Sequence, residues 1–115
     1  MIKIYHNPRC KKSREGLEIL EKSGKKFEIV KYLENIPTKQ ELKEIISYLH
    51  MEPIDLVRKK ETIWKEKFKS KCLSSEEIID IMLTYPKLIE RPIVVKDKKA
   101  VIGRPASTID PLINE

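Results

Sequence analysis

Between residues 2 and 32 the chain changes its apolar periodicity twice. Ile2-Lys3-Ile4-Tyr5 alternates as a strand does, Leu17, Ile19 and Leu20 recur at helical spacing within residues 11 to 23, and Phe27 to Tyr32 alternates again. Ser23-Gly24 marks the helix end, because glycine takes a left-handed cap at little cost. The chain therefore opens as strand, helix, strand, the beginning of an α/β fold. Farther on, Thr38 with Glu41 has the form of a capping box ahead of Leu42, Ile45, Ile46 and Leu49. Ser74 with Glu77 opens another helix through Ile78, Ile81 and Met82, and Pro53 suits the first turn of a short helix carrying Leu56 and Val57. Residues 38 to 89 are thus expected to be helical.

After Pro86 the alternation returns. Ile93-Val94-Val95-Lys96 and Ala100-Val101-Ile102-Gly103 flank Asp97-Lys98-Lys99, which predicts a β-hairpin with a three-residue turn, Val95 opposite Val101 and Ile93 opposite Gly103. Ser107 and Asp110 suggest one last helical turn, which Pro111 weakens. No repeat, low-complexity tract or linker interrupts this order, so residues 1 to 115 read as one domain.

A length of 115 residues suffices for a modest core without disulfides or a structural metal. Hydrophobic residues at 40% and charged residues at 37% describe a globular chain with a charged surface rather than a disordered one. No apolar run reaches spanning length and the N-terminus lacks a signal-peptide core, so a cytoplasmic protein without a membrane partner is expected. Cys10 and Cys72 then read as free thiols, Cys72 as a small, partly buried residue ahead of the Ser74 cap. His6, Cys10, His50 and Cys72 lack the spacing of a zinc site, and no metal is expected. His50, near a helix end, reads as a dipole partner or as exposed. The net charge of +6 invites a nucleic-acid reading around Arg58-Lys59-Lys60, Lys65, Lys67, Lys69 and Lys71. Trp64 and Phe68, however, stand four apart, as core residues of a helix do, and a solvated helix without nucleic acid explains the lysines better. The charge also helps to gather small anions.

Cys10 lies in His6-Asn7-Pro8-Arg9-Cys10-Lys11-Lys12-Ser13-Arg14, between the first strand and the first helix. A cysteine at a helix start faces unpaired N–H groups and the positive end of the dipole, which favour thiolate. Arg9, Lys11, Lys12 and Arg14 push the same way, as His6 does when protonated. Thiolate is the nucleophile, and the same groups form an anion site. A second constellation flanks the hairpin: Arg91-Pro92 before it and Arg104-Pro105 after it. Hairpin pairing brings both arginines to its open end, where two guanidinium forks suit an oxyanion between them.

Together these residues resemble the glutaredoxin-coupled arsenate reductases, an ArsC-like family of the thioredoxin-like superfamily. The carriers are the His6-to-Arg14 loop, Leu56-Val57-Arg58-Lys59, Tyr85 through Val94, and Ile102-Gly103-Arg104-Pro105. The resemblance implies a thioredoxin-like fold with a mixed four-stranded sheet, its core at residues 1 to 34 and 90 to 115 and a helical insertion at 38 to 89. It implies Cys10 as nucleophile assisted by His6 and Ser13, Arg58, Arg91 and Arg104 as the arsenate-binding arginines, and Pro92 as a cis-proline opposite the Cys10 loop. Its partners would be arsenate, glutathione as co-substrate and glutaredoxin, with no bound cofactor. Ser13 in place of a resolving cysteine fits an external reductant. Two rival readings share the scaffold: an Spx-like regulator contacting RNA polymerase, which typically carries Cys-x-x-Cys, and a general glutathione-dependent thiol oxidoreductase.

Overall fold

The computed structural model describes residues 2–114. In chain order the elements are β1 (Ile2–Tyr5), α1 (Lys11–Ser23), β2 (Phe27–Val30), α2 (Lys39–Leu49), α3 (Thr62–Lys67), α4 (Ser75–Thr84), β3 (Ile93–Lys96), β4 (Lys99–Ile102) and α5 (Ile109–Ile113). Single 3₁₀ turns occupy Pro53–Leu56, Pro86–Leu88 and Ala106–Thr108. Two compact units result: a sheet unit that runs to Asn35 and resumes at Arg91, and a helical unit at Ile36–Glu90. No helix among the described residues is long and apolar enough to cross a membrane.

In the sheet unit the strand order is β2-β1-β3-β4, with β1 parallel to β2 and antiparallel to β3, and β4 antiparallel to β3. The sheet is therefore mixed. A parallel pair needs a crossover, and α1 provides it. Leu20 of α1 and Ile109, Leu112 and Ile113 of α5 pack with Ile2, Ile4 and Val94 into a buried cluster. Each such side chain contributes about 1.5–3 kcal/mol when fully buried. Pro111 falls in the first turn of α5, where its missing N–H costs little.

Two sequence expectations shift here. β2 ends at Val30 rather than Tyr32, because the Lys31 carbonyl accepts the N–H groups of Glu34 (2.9 Å) and Asn35 (2.8 Å) and turns the chain. The hairpin turn has two residues, not three: Lys96 pairs Lys99, Val94 pairs Val101 and Ile93 pairs Ile102. Asp97 takes φ 56°, a left-handed conformation that aspartate tolerates, so the turn closes without glycine. A slip of one residue exchanges the faces of a strand. It also lines up Arg91 with Arg104, since Gly103 N–H donates to the Pro92 carbonyl (2.8 Å) just beyond the strand ends.

In the helical unit Leu42, Ile45 and Ile46 of α2, Trp64 of α3, and Ile78, Ile79 and Met82 of α4 are buried, as are Leu56 and Leu88 of the 3₁₀ turns. Val57 is extended rather than helical. It bridges Ile89, and Arg58 N–H to Leu88 O (2.7 Å) and Glu90 N–H to Leu56 O (2.9 Å) complete this short ladder. Lys39 and Lys43 of α2 pair with Glu76 and Asp80 of α4 on the surface (2.7–3.1 Å).

Candidate active site

Asn7 winds the loop that carries Cys10. Its Oδ1 accepts the Arg9 N–H (3.0 Å) and its carbonyl accepts the Cys10 N–H (3.0 Å), while Arg14 Nη1 donates to the Pro8 carbonyl (3.0 Å). Cys10 thereby lands on the N-cap of α1 with extended backbone (φ −95°, ψ 122°), and its carbonyl accepts the first helical N–H, from Arg14 (3.0 Å). No side-chain oxygen caps this helix and no acid stands in its first turn. The backbone N–H groups of Ser13 and Lys12 turn instead to the sulfur.

Arg91 donates a side-chain hydrogen bond to the same sulfur. Arg104 Nη1 lies 4.0 Å from Sγ and 3.2 Å from the Arg91 carbonyl, so the backbone of one arginine holds the guanidinium of the other. The group between the two forks is thus the Cys10 sulfur. Partial burial pushes the Cys10 thiol up, but the Arg91 hydrogen bond and charge, with the Ser13 and Lys12 N–H groups, outweigh it, and the net shift is below the ordinary 9.0. The dominant cation comes from across the fold, whereas Arg9, Lys11, Lys12 and Arg14 are solvent-exposed.

Ser13 is fully buried. Its Oγ accepts the Asn7 N–H (2.9 Å) and shares a 2.6 Å hydrogen bond with His6 Nδ1. Burial drives the His6 pKa below 6.5, opposed by its hydrogen bond to Ser13 and aided by the charges of Lys31 and Arg14. A neutral His6 brings no positive charge to Cys10; its contact is with Ser13, which buttresses the loop. A cleft of about 440 Å³ beside the loop is lined by His6, Asn7, Arg9, Lys31, Leu33 and Glu34, among others.

Pro92 is buried and follows a cis bond, and the Arg104-Pro105 bond is cis as well. Two glycines set its place: Gly16, which sequence reasoning passed over, and Gly103, which it read only as a hairpin and motif position. A Cβ on Gly16 would come 2.8 Å from Pro92 Cγ, and one on Gly103 would come 2.9 Å from both Pro92 Cγ and Ile109 Cδ1. Only glycine admits this approach of α1 and of the chain just after β4 to the proline ring. An isolated glycine inside the α1 pattern was the available signal. Thr108 was also missed: its hydroxyl donates to the carbonyls of Ile102 and Pro105 (2.9 Å each), fastening the segment that carries Arg104.

The structure brings Cys10, His6, Ser13, Arg91, Pro92 and Arg104 together in the sheet unit. Arg58 belongs to the helical unit, where Glu61 (3.5 Å) and Glu90 (3.2 Å) hold its guanidinium. Cys72 is exposed, not partly buried, because the segment between α3 and α4 is irregular and turns it outward; both cysteines are free thiols. His50 ends α2 as an exposed left-handed cap, φ 55°.

Comparison with known proteins follows the same geometry. Arsenate reductase of Neisseria meningitidis is 39% identical over 97% of this chain and 97% of its own length. The Escherichia coli protein YfgD, which is uncharacterized, is 44% identical over 94% of this chain and 92% of its own length. The solved arsenate reductase of Vibrio cholerae has a TM-score of 0.91 at 41% identity, covering 96% of this chain and 95% of that one. The thioredoxin-like fold is shared with it. The ArsC family model matches residues 5–112, and the chain belongs to the ArsC family.

Proposed function

We propose that this chain reduces arsenate to arsenite, with the Cys10 thiolate as nucleophile and glutathione and glutaredoxin as the source of electrons. The observation that carries the reading is the sulfur of Cys10, lowered in pKa between the guanidinium groups of Arg91 and Arg104. Attack of a thiolate on an oxyanion joins two negative groups, and preorganised cations offset the repulsion. In the first step a sulfur–arsenic bond forms, one arsenic–oxygen bond breaks and the oxygen leaves as water. Glutathione then adds to the Cys10-bound arsenic. Two electrons pass from the thiol sulfurs to arsenic, arsenite leaves, and glutaredoxin returns Cys10 from the mixed disulfide to the thiol. Phosphate has the same shape and charge, so selection lies in the capacity of arsenic to accept a thiolate and two electrons.

A buried serine, rather than a thiol, stands one turn from Cys10, which favours an external reductant. Arg58 is assigned by the family resemblance to arsenate as a third cation. The relatives named above as arsenate reductases support the substrate. The test is arsenite formation by purified protein with glutathione and glutaredoxin, run beside Cys10→Ser and Cys72→Ser. Loss with Cys10→Ser and survival with Cys72→Ser is the expected result. Equal loss with both replaces the external reductant by an internal disulfide, and no turnover in the wild type overturns the activity.

A further inference from the structure

The helical unit has a second concave feature whose chemistry differs from that of the Cys10 site. A groove of about 500 Å³ runs over Trp64, Ile54 and Leu73, and Lys59, Lys69 and Lys71 stand on its rim. Its size is that of a ligand-binding cavity. Trp64, the chain's one tryptophan, is buried at the base and braced by Phe68 (ring centroids 5.8 Å apart), which in turn meets Tyr85 (5.9 Å).

The rim is basic. Lys39 and Lys43 in the same unit are neutralised by Glu76 and Asp80. Among the described residues, no carboxylate lies within ion-pair distance of Lys59, Lys69 or Lys71. Their surroundings are basic too, since Lys60, Lys65 and Lys67 of the same segment outnumber Glu61 and Glu66, and Arg58 engages Glu61 (3.5 Å). Glu52 is the one acid on the groove wall. The ammonium of Lys71 is held 5.8 Å above the Phe68 ring, so part of the rim is preorganised.

We infer that this groove docks an acidic protein segment bearing one apolar anchor side chain. The apolar floor takes the anchor and the lysines take flanking carboxylates, the arrangement in which a desolvated centre supplies affinity and rim charges supply steering. Single-stranded nucleic acid fits less well, because its bases need an open aromatic face and Trp64 is only 6% exposed. The inference is independent of arsenate chemistry.

The probe is a short synthetic peptide with glutamates on both sides of one leucine, titrated against the full chain at about 10 mM salt and followed by Trp64 fluorescence and backbone amide NMR. Saturable binding is expected, with shifts centred on Trp64 and Leu73. The triple substitution Lys59→Glu, Lys69→Glu, Lys71→Glu should weaken it at least about tenfold, as should about 150 mM salt. Replacing the peptide's leucine by serine should weaken it several-fold. Circular dichroism checks that the triple variant is folded, and the salt titration of the wild type tests the charge argument without it. Equal binding of the serine peptide reduces the groove to a bare cationic patch and overturns the proposal. Absence of saturation to about 1 mM peptide does so as well. Tighter binding of an oligothymidine strand that shifts the same amides reassigns the surface to nucleic acid.

Discussion

The N-termini of α1 and α4 solve the same problem in opposite ways. Every helix start leaves N–H groups without partners inside the helix. At α4, Ser74 Oγ accepts the Glu77 N–H (3.2 Å), the Glu77 carboxylate accepts the Ser74 N–H (3.0 Å), and Glu76 and Glu77 place negative charge at the positive end of the dipole. At α1 the cap position holds Cys10, the first turn has no acid, and cations cluster around it. One start is arranged for stability. The other leaves its N–H groups, with a guanidinium, to a sulfur, and it is there that a negative charge arriving from outside can be held.

The largest expected effect comes from exchanging the two designs. Cys10→Ser installs at α1 the oxygen that α4 uses, and arsenite formation should fall by at least about a thousandfold while the fold persists. Residual turnover above about one tenth of wild type would place the nucleophile elsewhere. Next is Arg91→Ala, which removes the hydrogen bond and charge that lower the thiol. A loss of about 10²–10³ in rate is expected. Alkylation rate against pH should show the Cys10 pKa moving up toward 9.0. An unmoved pKa would mean that the helix N–H groups alone sustain the thiolate.

A third change acts on packing around the site. Gly103→Ala pushes a methyl group to 2.9 Å from Pro92 and Ile109, and overpacking of this kind costs about 1–3 kcal/mol in a urea melt. Ser74→Ala comes after it. Losing that cap should cost about 1 kcal/mol and leave the alkylation rate of Cys10 unchanged. A change in thiol reactivity on losing the α4 cap would show that the two helix starts are coupled.

The same contrast explains what could be read in advance. Ser74 with Glu77 and Thr38 with Glu41 are local codes, complete within four residues: the first forms a reciprocal box, and at the second the Thr38 hydroxyl accepts the Glu41 N–H (3.1 Å). The strand-helix-strand opening is equally local, because period alone separates its parts. Arg91 on the Cys10 sulfur depends on a sheet register 81 positions away in the chain, and that register hinged on whether Asp97 would accept a positive φ. The glycine seats for Pro92 depend on three elements meeting at one ring. Cys72 turned outward because no periodic pattern covers the segment around it.

The smallest effect separates the two helix starts by pH. Cys10 has a folded pKa below its unfolded 9.0, so the unfolded chain holds the proton longer as pH rises. The thiolate's contribution to stability is fully present above 9.0 and is lost as pH falls through the folded value. Glu77 obeys the same sign in an acidic window: hydrogen bonds from Ser74 hold its carboxyl below 4.5, and its contribution is present above 4.5 and lost as pH falls through the lower folded value. Urea midpoints for wild type and Cys10→Ser should therefore draw apart in favour of wild type as pH rises from the folded Cys10 value to 9.0. Wild type and Ser74→Ala should keep a constant gap over that range and converge only in acid. A gap between wild type and Cys10→Ser that stays flat across the alkaline range would make the Cys10 thiol ordinary, and α1 would then be no more than a poorly capped helix.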